Sequence, residues 1–253
     1  MEHSRRCLLA GRWGWILGAA CLASPTCARG EEPRALLART MDRYASLRTF
    51  GARSILRMPA DGTPGEPAGM RSFFYARPNR FRLVVSRPGC PPIQVVCDGR
   101  QVVEVPGGPS GRRVSPAPRS LQEAASQALT DPRLGGSLLF RLFSGARGLP
   151  ALLEPGSRVE ERPPESVHGV ACRTLRFRAR PPFGQVTVSI GRSDGLVRRI
   201  VCRSGPDPAR VPARLRGKLP TGGSFEEDLS WITVDRPLGK SLFDLDDKGK
   251  GGR

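Results

Sequence analysis

Side chains able to do chemistry are sparse in this chain. Of 253 residues only two are histidine, His3 and His168, and imidazole is both the side chain best suited to proton transfer near neutral pH and the commonest metal ligand. Two histidines this far apart do not build a multi-histidine metal centre or an acid–base relay, and His168, just before Gly169, reads as a solvated turn residue. The carboxylate pairs Glu160-Glu161, Glu226-Glu227 and Asp246-Asp247 are adjacent in sequence, so on a strand their members point to opposite faces and cannot share a substrate. The run Asp244-Leu245-Asp246-Asp247-Lys248-Gly249 starts like a calcium loop, but Lys248 stands where an acidic ligand is needed. The chain has no glycine-rich phosphate loop, no G-x-S-x-G elbow, no S-x-x-K and no zinc-type cysteine or histidine spacing. The expectation is therefore a protein that is not an enzyme and needs no metal or cofactor, which leaves binding as the chemistry to explain.

A formal net charge of +18, from 41 Lys+Arg against 23 Asp+Glu, would suit a nucleic-acid partner if it were clustered. Only Lys218, Lys240, Lys248 and Lys250 are lysine, Asn79 is the single asparagine, and the arginines are scattered along the whole chain. That is the residue usage of a GC-rich coding sequence, and it argues for arginine as a general surface residue; no nucleic-acid partner is expected.

Residues 1–28 read as an export signal. Arg5, Arg6 and Arg12 form a basic start, the 11 residues from Trp13 to Ala23 are apolar, and Thr26-Cys27-Ala28 offers small residues for cleavage. Eleven residues are about half of what a membrane-spanning helix requires. An alternative is acylation of Cys21 in Gly18-Ala19-Ala20-Cys21, which would tether the protein as a lipoprotein. Removal of residues 1–28 takes away three arginines and Glu2, leaving 38 basic and 22 acidic residues and a charge of +16. Four cysteines then remain: Cys90, Cys97, Cys172 and Cys202. Neither local pair suits a bridge. An extended strand carries Cys97 away from Cys90, and Cys172 and Cys202 fall near opposite ends of adjacent strands, so at most one disulfide is expected.

The elements that must position any site follow from periodicity. From Glu31 to Leu47, the residues Leu36, Leu37, Met41, Tyr44 and Leu47 recur at three- and four-residue spacing behind Glu31, Glu32 and Pro33, which predicts an amphipathic helix. From Thr49 the period becomes two. Phe50, Ala52, Leu56 and Met58 alternate with arginines; Met70, Phe74 and Ala76 alternate with Arg71, Tyr75 and Arg77; and Phe81, Leu83 and Val85 follow. Strands at Ile93 to Cys97 and Arg100 to Val105 join through Asp98-Gly99, a hairpin signal. Helices are predicted at Ser120 to Thr130, Gly135 to Phe143 and Leu149 to Leu153, and strands resume at Ser157–Arg162, Gly169–Arg180, Gly184–Ile190, Gly195–Ser204 and Ser224–Asp235. About ten antiparallel strands with one apolar face need a cover. An incomplete cover leaves a cavity suited to an acyl chain, and a complete one makes the same face ordinary core; the pattern alone leaves both open.

The stretch Gly69 to Val105, GMRSFFYARPNRFRLVVSRPGCPPIQVVCDGRQVVEV, resembles the signature of the LolA-like periplasmic lipoprotein carriers: a strand ending in Arg-Pro-Asn-x-Phe, a further strand, then a hairpin through Asp-Gly-Lys/Arg. Ile190-Gly191-Arg192-Ser193-Asp194-Gly195-Leu196 is similar to that family's second hairpin, and Lys240-Ser241-Leu242-Phe243 to its closing phenylalanine. The resemblance implies an α+β fold, an unclosed antiparallel barrel covered by the N-terminal helix and the central helical insertion, over residues 29–236, followed by a charged tail at 237–253. It implies a lid held by Arg77 through hydrogen bonds to backbone groups. It also implies an apolar cavity, for which strand alternation offers Phe50, Leu56, Phe74, Phe81, Leu83, Leu175, Phe177, Val188 and Trp231. Implied with it are a periplasmic or otherwise exported monomer, a role as carrier or sorting factor for the acyl chains of lipoproteins or other lipids, and encounters with inner- and outer-membrane envelope proteins. The alternative of the same fold is a non-transporting envelope-stress sensor that binds a membrane regulator.

Overall fold

The computed structural model describes residues 31–58, 67–106, 111–128, 138–145, 148–180, 183–204 and 223–244. The expected export signal, with Cys21, and the acidic run beyond Asp244 lie outside the described residues. Helix α1 (Pro33–Ser46) opens with proline in its first turn, where a missing N–H costs nothing, and buries Leu36, Leu37, Thr40, Met41 and Tyr44 along one side. The chain then enters the sheet: β1 (Thr49–Arg57), β2 (Pro67–Ala76), β3 (Arg80–Arg87), β4 (Cys90–Cys97), β5 (Gln101–Val105) and β6 (Arg113–Pro116). The helical middle comprises α2 (Leu121–Ala128), a 3-10 turn (Leu138–Leu142) and the short α3 (Leu149–Leu152). The sheet resumes with β7 (Val159–Val167), β8 (Val170–Arg178), β9 (Phe183–Gly191), β10 (Val197–Ser204) and β11 (Ser224–Val234), and a final 3-10 turn covers Lys240–Phe243.

All eleven strands form one antiparallel sheet in the order β6-β5-β4-β3-β2-β1-β11-β10-β9-β8-β7. Two meanders thus run outward from a central β1–β11 pair, and the two edges, β6 and β7, are not paired with each other. This is the unclosed antiparallel α+β architecture expected from the sequence. The four segments of helix and 3-10 turn between Pro33 and Leu152 contribute to one apolar cluster with the inner side of both meanders: Phe73, Phe81 and Leu83 on one, Leu175, Phe177, Val186 and Val188 on the other. No helix among the described residues is long and apolar enough to cross a membrane.

Several elements depart from the periodicity reading, each for a local reason. Strand β7 runs through Pro163 and Pro164, which looked like a strand end; it is an edge strand with an irregularity between Arg162 and Glu165, and an edge tolerates residues that cannot donate. Strand β6 has four exposed residues and no apolar alternation to announce it. The predicted helix at 135–143 is, in its described part, a 3-10 turn. Helix α2 starts where Ser120 and Glu123 suggest: the Glu123 N–H donates to Ser120 Oγ at 3.2 Å, while the Glu123 carboxylate accepts the Arg119 N–H at 2.7 Å. The folded body also continues past residue 236. Phe243 is buried, the Arg80 guanidinium lies 5.3 Å from its ring centre, and Arg82 Nη1 donates to the Leu242 carbonyl at 3.3 Å.

The largest correction concerns β2. Alternation placed Met70, Phe74 and Ala76 inward. Instead Arg71, Phe73 and Tyr75 are the buried set; of the three expected inward, Met70 is 57% exposed, Phe74 is half-buried and only Ala76, at the strand end, is buried. Phe73 pairs with Leu83 and Tyr75 with Phe81, so β3 fixes which face of β2 turns to the core. An arginine in the inward set is what misdirects the pattern, and Arg71 can turn inward because a carboxylate is waiting there.

Candidate functional site

The inner face of the sheet is the site that the sequence points to. Phe50, Phe81, Leu83, Leu175, Phe177 and Val188 belong to its apolar cluster, and Leu56 is buried on the same side of β1, paired in register with Glu227. Phe74 and Trp231 do not join them. Both face outward, with ring centres 5.9 Å apart, and Trp231 is 56% exposed. Trp231 sits where β11 carries an extra residue against β1, between the pairs Gly51↔Thr233 and Arg53↔Ser230, and its backbone is left-handed, φ 47°. Gly51 beneath makes this possible: a Cβ there would stand 3.1 Å from Phe74 Cδ1 and 3.6 Å from Trp231 Cζ3.

The cover over the inner face includes the central segments expected there as a helical insertion, with the 3-10 turn Leu138–Leu142 among them. Phe143 is its wedge, with ring centres 5.3 Å from Tyr44, 5.0 Å from Phe50, 5.5 Å from Phe73 and 6.2 Å from Tyr75. Phe140 packs on Phe73 at 5.5 Å in an edge-to-face arrangement. Contacts of this kind are worth about 0.5–1.5 kcal/mol each beyond burial. Leu138, Leu139 and Leu142 are all buried beside them. Residues 138–145 and 148–152 therefore cover this face.

Polar ties hold the cover in place. Glu227, fully buried on β11, accepts Arg71 Nη1 at 3.1 Å and Ser54 Oγ at 2.9 Å through Oε1, and the Leu139 N–H at 3.2 Å through Oε2. One carboxylate thus joins β1, β2 and β11 to the 3-10 turn. Buried ionic groups are stable only when so satisfied, and removing one partner costs about 3–5 kcal/mol. At the other end Arg77 Nε donates to the Leu47 carbonyl at 2.9 Å and Nη2 to the Ala45 carbonyl, tying the start of the β2–β3 turn to the end of α1. The fork of a guanidinium suits two backbone acceptors. The Val197 N–H donates to Tyr44 Oη at 3.1 Å, and burial pushes the Tyr44 phenol above its ordinary range. Arg141, in the 3-10 turn, lies 5.6 Å from the Phe183 ring centre, and burial lowers its pKa.

Among the described residues no three metal-ligating side chains converge. His168 is exposed in the two-residue turn between β7 and β8. The four cysteines Cys90, Cys97, Cys172 and Cys202 are free; Cys90 is exposed, the other three are buried, and burial pushes the Cys202 thiol up to about 12.

No protein-family model matches the chain, and no curated protein matches it. Solved structures do. The lipoprotein LppX of Mycobacterium tuberculosis is 11% identical, with 82% of this chain and 97% of that chain covered and a TM-score of 0.44. MucB in the Pseudomonas aeruginosa MucA/MucB complex is 11% identical, with 84% and 60% covered and a TM-score of 0.45, so this chain spans 60% of the length of that protein. A LolA superfamily protein of Nitrosomonas europaea is 12% identical, with 85% and 98% covered and a TM-score of 0.35. No residue role is carried over from any of them.

Proposed function

We propose that this chain is an exported lipid-binding protein, a carrier or sorting factor for lipoprotein acyl chains in the cell envelope, and that an acyl chain takes the place of residues 138–152 on the inner face of the sheet. One observation carries the reading: beyond the 14-residue α1, a continuous apolar face is covered by short segments, and that part of the cover is fastened to the sheet through Glu227. The Leu139 N–H satisfies an oxygen of the buried Glu227 carboxylate, so this part of the cover is held by one discrete polar contact as well as by apolar packing. A removable cover needs a discrete tie that can be made again. Leu139, Phe140 and Phe143 then act as internal surrogates for the ligand, shielding the face until a chain arrives.

The test is purification from the native envelope, native mass spectrometry and lipid extraction, followed by titration of the emptied protein with a fluorescent fatty acid. Co-purifying acyl-bearing species and saturable probe binding are expected. Absence of both would overturn the reading.

A further inference from the structure

The outer face of β7–β10 carries a groove of about 350 Å³ that acyl binding does not use. Register builds it from side chains opposite to the buried Leu175, Phe177, Val186 and Val188. One row runs Arg162, Thr174, Ser189, Arg199 across four strands; the next pairs Arg176 with Thr187; the third pairs Gln185 with Arg203. Four guanidinium groups thus line one basin, together with the hydroxyls of Thr174 and Thr187, and Glu165 is its one carboxylate.

The ion pairs decide what remains for a ligand. Glu165 accepts Arg199 Nη1 at 3.2 Å and Thr174 Oγ1 at 3.4 Å, and the Ser189 hydroxyl as well. Arg199 is also held by Asp228 at 2.7 Å and Glu226 at 3.3 Å, and Arg176 by Glu160 at 2.7 Å. Arg162 and Arg203 form no ion pair among the described residues and stand at diagonal corners, with Arg176 and Thr187 between them. Two uncommitted guanidinium forks at the corners of a basin lined with donors are arranged for an anion that offers oxygens along its length. Guanidinium matches phosphate in a two-pronged fashion, which a lone carboxylate exploits at one corner only.

We infer that this groove binds a phosphate-bearing ligand, with Arg162 and Arg203 as its principal contacts and Thr187 and Gln185 beneath it. The phosphate can belong to a lipid headgroup at a membrane surface or to a soluble phosphate compound. The site lies on the opposite face of the sheet from the proposed acyl site and does not depend on it.

The experiment titrates the protein without residues 1–28 with pyrophosphate at low salt by calorimetry, and measures co-flotation with vesicles of phosphatidylglycerol or of phosphatidylcholine. Pyrophosphate binding is expected, weakened about tenfold by R162Q and again by R203Q, since a hydrogen bond to a charged group contributes on that scale. The pair R34Q and R48Q, elsewhere on the surface, controls for net charge. If phosphatidylglycerol vesicles capture the wild type, and pyrophosphate releases it, the source is a headgroup; if pyrophosphate binds and the vesicles do not, it is a soluble phosphate. Binding of neither, or equal losses in R162Q/R203Q and R34Q/R48Q, overturns the inference. Fatty-acid binding should be unchanged in R162Q/R203Q, so the outcome is separable from that of the acyl reading.

Discussion

Single carboxylates set how this fold meets acid. Asp235 Oδ1 accepts the Arg48 N–H at 2.7 Å, and Arg43 lies 3.4 Å from Oδ2; the backbone donor chiefly, with the arginines, holds this carboxyl below the usual aspartate range. At Asp98 partial burial works the other way, but the N–H groups of Gln101 and Arg100, at 2.9 and 2.7 Å, outweigh it and again lower the pKa. Both groups therefore bind protons less tightly when the chain is folded. Their contribution to stability is complete above the unfolded aspartate value of about 3.9 and is lost as pH falls through the depressed folded values. The urea midpoint should drop between about pH 5 and pH 3, and the drop should be shallower in D98N/D235N, because asparagine keeps an oxygen acceptor but does not titrate. An equally steep drop in that variant contradicts the assignment. Residues at this scale were unevenly legible in the sequence. Asp98-Gly99 announced its hairpin, whereas nothing marked Glu227: a glutamate beside another glutamate on a strand reads as solvent-facing until Arg71, more than 150 positions away, is placed against it.

At the scale of elements, the cover and its tie are the working parts. Ser54 donates one hydrogen bond to Glu227 Oε1 and so helps orient the carboxylate whose other oxygen accepts the Leu139 N–H; S54A removes that positioning bond without breaking the Arg71–Glu227 pair. The lost bond is worth about 1 kcal/mol, which corresponds to an increase of at most about fivefold in the rate at which the cover opens. Stopped-flow uptake of a fluorescent fatty acid should be faster in S54A by several-fold, and an unchanged or slower uptake would count against a cover that must open. The strand meanders were readable because period-two alternation survives wherever one face is buried. Strand β2 was assigned to the wrong face because the buried ion pair puts an arginine in the inward set, and that took Phe74 with it. Trp231 was misplaced for a different reason: a single extra residue in β11 turns it outward, and no pattern in the local sequence encodes that insertion. The resemblance placed the central helical insertion over the sheet, but the packing of its side chains was not legible, since short segments with a 3-10 turn carry too little periodicity to reveal a face.

For the whole molecule, the two faces of one sheet divide the labour. The inner face is apolar and covered, with its few charges neutralised in pairs. The outer face of β7–β10 gathers four arginines into a groove, and two of them, Arg162 and Arg203, form no ion pair among the described residues. The groove on β7–β10 thus gathers four of the arginines behind the formal charge of +18. The central claim is that an acyl chain and residues 138–152 exclude one another from the inner face. Amide hydrogen exchange, recorded with and without saturating fatty acid, tests it directly. Exchange at Leu139 and through Leu152 should accelerate when the acyl chain binds, as the Leu139 N–H leaves Glu227, while the central strands β1, β2 and β11 keep their protection. Unchanged protection at Leu139 in the acyl-bound protein would contradict it.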